Sequence, residues 1–167
     1  AIGAVSVGLY PTNPASEVEY LLSHSESKIL FAEDQEQVDK ALEVIDNLPT
    51  LEKIVYFEDR GLYNYDHPKL MTFNEFLEIG KSEYESFPEY VEQQQNNISD
   101  DDVAFLVYTS GTTGKPKGSM ITHGNISWVA SQIPNFSLVE NVKAKEPQFL
   151  SYLPLCHIFG RLTDLLI

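Results

Sequence analysis

Apolar and polar positions change period along this chain, and the changes mark its elements. Ala4–Tyr10 is a short apolar run of a length suited to a buried strand. Pro11-Thr12-Asn13-Pro14 ends it, and Asn13 before Pro14 predicts a helix start, because Asn can cap and Pro fits the first turn. Val18, Leu21 and Leu22 follow at helical spacing, and Ile29–Ala32 reads as a second strand. Asp34 is placed to cap a second helix whose apolar face is Val38, Ala41, Leu42 and Ile45, and Ile54–Phe57 reads as a third strand. Strand, helix, strand, helix, strand at this spacing predicts an α/β fold with a parallel sheet covered by helices.

The second half is less regular. Gly61–Lys69, with Tyr63, Tyr65, His67 and Pro68, reads as a loop. Thr72 can cap a short helix containing Phe73, Phe76 and Leu77, and Ser82–Asn97 is polar and acidic enough for a surface helix. Asp100-Asp101-Asp102 precedes a strand at Val103–Tyr108. A loop at Thr109–Gly118, a short returning strand at Ser119–Ile121 and a helix from Thr122 or His123 through Trp128 and Ile133 come next. Gln148–Tyr152 is a further strand candidate, ended by Leu153-Pro154-Leu155-Cys156-His157, with a last helix beginning beyond it.

Composition narrows the function classes. The 167 residues carry a hydrophobic fraction of 43% and a formal net charge of −14, so the chain can build a core and is strongly acidic. That balance argues against a nucleic-acid partner, which would want a basic stripe, and against electrostatic docking to anionic lipid. The single cysteine, Cys156, excludes an intrachain disulfide and a cysteine-based zinc site, and it reads as a small buried apolar residue. No apolar run reaches membrane-spanning length. His24 and His67 read as surface residues, and Trp128 and the tyrosines as core and rim. The small apolar start at Ala1–Gly8 has no basic leader or initiator Met, and the chain stops within Leu165-Leu166-Ile167. Both ends read as cuts through secondary structure, and an internal fragment of a longer protein is expected.

The densest chemistry lies in Tyr108-Thr109-Ser110-Gly111-Thr112-Thr113-Gly114-Lys115-Pro116-Lys117-Gly118. No Lys or Arg occurs from Ser82 to Gly114, so its two lysines end a long stretch without positive charge. Glycines let backbone N–H groups turn toward phosphate oxygens, hydroxyls donate without fixed charge, and lysine supplies a point cation. The spacing is not that of the common NTPase P-loop, because neither Gly111 nor Gly114 has Gly five positions on. No Gly-x-Gly-x-x-Gly fingerprint is present either.

The segment instead resembles the signature of the adenylate-forming superfamily, which includes acyl-CoA synthetases, luciferases and peptide-synthetase adenylation domains. Ser110-Gly111-Thr112-Thr113-Gly114 and Pro116-Lys117-Gly118 match position for position, and Thr122-His123-Gly124-Asn125 matches the usual continuation. Leu153-Pro154-Leu155-Cys156-His157-Ile158-Phe159-Gly160 is similar to the family's second conserved stretch. The Leu-Pro-Leu-x-His form and Gly8-Leu9-Tyr10-Pro11-Thr12-Asn13-Pro14 resemble long-chain fatty acyl-CoA synthetases, with one departure at Gly160, where many of these carry an acidic residue.

The resemblance implies parallel-rich sheets flanked by helices, with residues 1–167 lying inside a large N-terminal AMP-binding domain and no complete second domain. It implies that Thr109, Ser110, Gly111, Thr112, Thr113, Gly114 and Lys117 hold the β- and γ-phosphates of ATP with Mg²⁺, and that His157 lies beside the acyl carboxylate and α-phosphate. His123 would support the loop and helix start. The implied reaction joins a fatty acid to AMP, with pyrophosphate leaving, and then passes the acyl group to coenzyme A. A cytoplasmic parent is expected, with peripheral membrane association left open. The fragment is expected to be inactive alone, since the family's adenine- and ribose-binding stretches and its C-terminal lysine are not in it. A peptide-synthetase-type adenylation domain and a non-catalytic nucleotide-binding module remain as alternatives.

Overall fold

The computed structural model describes residues 2–109, 114–132, 154, 156–158 and 160. They fall into two compact units, Leu9–Glu92 and a second built from Ala1–Gly8 with Gln93–Ile167.

The first unit is a three-stranded parallel sheet with helices on it. Its strands are β2 (Ile29–Ala32), β3 (Lys53–Tyr56) and β4 (Leu70–Thr72), in that order, and β3 pairs in parallel with both neighbours. Helices α1 (Ala15–His24) and α2 (Gln35–Glu43) connect and cover the sheet, followed by a 3-10 turn at Ile45–Asn47. Strand alternation assigns the faces. Ala32 and Ile54 are buried with Val18, Leu22, Val38, Ala41 and Leu48, and Leu30, Tyr56 and Leu70 pack against that core. The opposite face carries aromatics. Phe31 stands edge-on to Phe76 at 5.4 Å, and Phe57 tilts against Phe73 at 4.7 Å. Phe73 and Phe76 come from α3 (Phe73–Ser86).

Local signals account for most of these boundaries. The Asp34 carboxylate accepts the Gln37 N–H at 3.2 Å and caps α2. Thr72 and Glu75 form a reciprocal capping box that opens α3. Three expectations need correction. Pro14, not Asn13, is the cap residue of α1, with no side-chain cap bond, while Asn13 is buried and its N–H closes a turn on the Tyr10 carbonyl at 3.0 Å. The helix after Thr72 runs on to Ser86, and Phe87-Pro88-Glu89 separates it from α4 (Tyr90–Asn97), so Ser82–Asn97 is not one helix. The short strand β4 stands where only a loop and a cap were expected.

Strand β1 (Ser6–Val7) is much shorter than the apolar run Ala4–Tyr10, and Ala4, Val5 and Ser6 are exposed. It belongs to the second unit and not to the sheet of β2 and β3. There it pairs in parallel with β5 (Val103–Thr109), which pairs antiparallel with β6 (Lys117–Thr122). Helix α5 (His123–Gln132) follows directly, and Trp128 on it is exposed. The strand expected at Gln148–Tyr152 and the final helix lie outside the described residues.

Candidate functional site

The expected phosphate loop sits at the closed end of the β5–β6 hairpin. The ladder runs Val107↔Ser119, Tyr108↔Gly118 and Thr109↔Lys117, so it remains paired up to the last residue on each side of residues 110–116. A paired base of this kind fixes where the connecting backbone starts and ends. Thr109 and Lys117 are thereby brought directly opposite one another, and both are exposed. Facing residues in such a ladder have Cβ atoms about 5 Å apart, so the two side chains leave the ladder on the same face.

Gly114 has φ +138°, a conformation that L side chains rarely adopt, and among the described residues a Cβ there would meet nothing within 4 Å. The backbone conformation alone favours glycine at this position. Gly118 shows the reverse case. A Cβ there would stand 3.2 Å from Cζ of Tyr108, whose ring lies over the glycine across the ladder. Of the other expected loop residues, Ser110, Gly111, Thr112 and Thr113 lie outside the described residues. His157 is exposed in a separate turn, where its N–H donates to the Pro154 carbonyl at 2.9 Å, and Cys156 beside it is half-buried rather than buried.

The open end of the hairpin holds a group of contacts that motif reading did not resolve. The Asp102 carbonyl accepts the His123 N–H at 2.9 Å, and the Asp100 carbonyl accepts the Gly124 N–H at 2.8 Å. The Asn125 N–H donates to the Thr122 hydroxyl at 3.2 Å, and the Asn125 side-chain carbonyl accepts the Thr122 N–H at 3.0 Å. The first N–H groups of α5, which would otherwise lack partners, are thus taken up by protein oxygens. In a common P-loop the helix N-terminus faces the phosphates; here the N–H groups of His123, Gly124 and Asn125 are already occupied. The signal for half of this lay in Thr122-His123-Gly124-Asn125; the acceptors Asp100 and Asp102 carried none.

A second concavity lies in the other unit at the carboxyl ends of β2 and β3. It is an open cleft of about 450 Å³ lined by Glu33, Asp34, Gln35, Glu36, Glu58 and Arg60. Ligands of open α/β sheets often bind in such crevices, but four carboxylates against one guanidinium repel a polyphosphate. Among the described residues no group of His, Cys, Asp and Glu could hold a metal ion, and no helix is long and apolar enough to cross a membrane.

Comparison with known proteins agrees with the hairpin's sequence. The family model described as AMP-binding enzyme matches residues 1–167. A long-chain-fatty-acid–CoA ligase of Xenopus laevis is 35% identical over 164 residues, covering 98% of this chain and 21% of the relative. A human long-chain-fatty-acid–CoA ligase is 33% identical over 171 residues, covering 98% of this chain and 23% of the relative. The chain therefore spans about a fifth of the length of these curated relatives. In fold it is similar to a red-emitting luciferase from Phrixothrix hirtus, with a TM-score of 0.64, 21% identity, and coverage of 98% of this chain and 30% of that one. At that identity the likeness shows the α/β fold alone. Matched by the family model from its first residue to its last, the chain belongs to the AMP-binding enzyme family.

Proposed function

We propose that this chain is part of the N-terminal domain of an AMP-forming fatty acid–CoA ligase. The observation that carries the reading is 35% identity, along almost the whole chain, to a protein named as a long-chain-fatty-acid–CoA ligase. The hairpin supports it, with Thr109 and Lys117 opposite one another at its closed end and Gly114 in a backbone conformation that favours glycine.

In this proposal Thr109, Ser110, Gly111, Thr112, Thr113, Gly114 and Lys117 hold the β- and γ-phosphates of MgATP. Fixed donors there stabilise the charge that grows on pyrophosphate as it leaves, and such stabilisation is the main lever on the barrier. His157 belongs beside the acyl carboxylate, where an imidazole N–H offsets repulsion between carboxylate and α-phosphate and orients the attacking oxygen. The carboxylate oxygen bonds to the α-phosphorus, the bond to pyrophosphate breaks, and acyl-AMP forms. The thiolate of coenzyme A then attacks the acyl carbon and AMP leaves. A cytoplasmic location with peripheral membrane contact is part of the proposal, since long-chain acids partition into lipid.

The test uses the full-length parent. ATP–pyrophosphate exchange should depend on a fatty acid and not on amino acids, and His157→Ala should slow acyl-AMP formation about 10- to 100-fold. Exchange driven by amino acids would favour a peptide-synthetase-type enzyme. An unchanged rate in His157→Ala would remove that residue from the site.

A further inference from the structure

We propose that the polar clasp at the open end of the β5–β6 hairpin sets the register of the phosphate loop, with Asn125, Thr122 and Asp102 as positioning residues. The proposal rests on the ligase reading above and adds residues that touch neither ATP nor the acid. Three observations meet there.

The first is a register irregularity. Val103 pairs with Thr122 and Phe105 with Ile121, so β5 advances two residues where β6 advances one. The extra residue, Ala104, is buried. A bulge is the device that shifts a ladder by one step, and a slip of one step turns every side chain to the opposite face. Lys117 would then no longer stand opposite Thr109 on the same side.

The second is that both strands are tied just outside the bulge. On the β5 side, the Asp102 carboxylate accepts the Ser99 N–H at 2.8 Å, and the Asp102 N–H returns to the Ser99 carbonyl at 3.1 Å. On the β6 side, Thr122 and Asn125 exchange their two bonds. The His123 and Gly124 N–H groups join the two sides through the carbonyls of Asp102 and Asp100. The third is that, among the described residues, apolar burial contributes little to this register. The hairpin strands have Ala104 as their only buried residue, and Met120 is exposed. With so little apolar burial to select one pairing, the polar end contacts and the bulge join the Tyr108 ring over Gly118 in making that selection. The loop lies about 20 Å along the ladder, at roughly 3.3 Å per residue.

The test compares conservative and non-conservative changes in the full-length parent. Asn125→Ala removes the side-chain acceptor, while Asn125→Asp keeps it. Asn125→Ala should raise KM for MgATP about three- to tenfold and leave KM for the fatty acid within about twofold. It should also speed amide hydrogen exchange in β5 and β6. Asn125→Asp should restore both. If Asn125→Ala does not fold, Thr122→Val against Thr122→Ser gives the same comparison with a weaker loss. A lowered melting temperature with unchanged KM for MgATP and unchanged exchange would overturn the proposal, as would failure of Asn125→Asp to rescue. If the wild-type parent forms no acyl-AMP, the ligase reading falls instead. Hydrogen exchange of the two strands still decides the clasp in that case, because it needs no substrate.

Discussion

The two units are held together by different physics. In Leu9–Glu92 the parallel sheet buries Val38, Ala41, Leu48 and Ile54 completely, so its geometry follows from apolar packing. In the β5–β6 hairpin the strands are half-exposed, and order comes from a backbone ladder, a bulge and hydrogen bonds at one end. The first is a scaffold that resists change throughout. The second places Thr109 and Lys117, both exposed, opposite one another at its closed end, where the proposed anion site lies. The difference teaches where each kind of damage will register: as lost stability in one unit and as lost chemistry in the other.

The largest expected effect is on the scaffold. Ile54→Ala empties the centre of β3, where the side chain is fully buried, and should cost about 2–5 kcal/mol. Met120→Ala on the hairpin should cost within about 0.5 kcal/mol, since Met120 is 68% exposed. Thermal unfolding of the chain measures both, and equal losses would break the comparison. In the parent, a larger loss from Met120→Ala would sharpen it by showing that the hairpin's outer face is covered there. Next comes the site. Lys117→Ala in the parent should lower kcat/KM for ATP about 100-fold, or ~2.7 kcal/mol, at unchanged melting temperature. Lys115→Ala should lower it no more than a few-fold, because Lys117 is the lysine in register with Thr109. Equal effects of the two would take Lys117 out of the site.

How much of this was legible in the sequence follows the same division. Where one face of an element is buried, the pattern spoke clearly: Ile29–Ala32 is found as read, Asp34 caps its helix, and Ile54 and Val55 lie in the third strand. Short elements without a pattern of their own were missed or misjudged. β4 is Leu70–Thr72, too short for an alternation to register, and it exists because β3 offers it a parallel partner. The run Ala4–Tyr10 looked like one strand, yet pairing with β5 selects only Ser6 and Val7 and leaves the rest outside the ladder. The proposed phosphate loop is a different case: Ser110–Gly118 carries particular residue types in a fixed order and registers as a motif without any periodicity, while Ser110–Thr113 lie outside the described residues. The clasp acceptors were not readable, because Asp100 and Asp102 offer backbone carbonyls to His123 and Gly124, and any residue carries those.

The smallest expected effect comes from a device that both units share. Thr72 and Glu75 cap α3 as Thr122 and Asn125 cap α5, each pair exchanging bonds between a threonine and the third helical residue. One partner is ionisable and the other is not. The Thr72 N–H donates to the Glu75 carboxylate at 2.8 Å and the Thr72 hydroxyl adds a second bond at 2.7 Å, which together hold the Glu75 carboxyl below its ordinary value of 4.5. A depressed folded value means that the contribution is fully present above the unfolded value and disappears as pH falls through the folded one. Glu75 is exposed, so solvent screens the effect and the change should be slight. Thr72→Ala should cost about 1 kcal/mol near neutral pH, and its cost should shrink between about pH 5 and 3. Thr122→Val should show a cost that stays flat over the same interval, because the Asn125 amide does not titrate there. Melting temperatures of the two variants against wild type, taken across that interval, decide the matter. Parallel pH curves for the two would mean that the Glu75 charge contributes nothing to its cap.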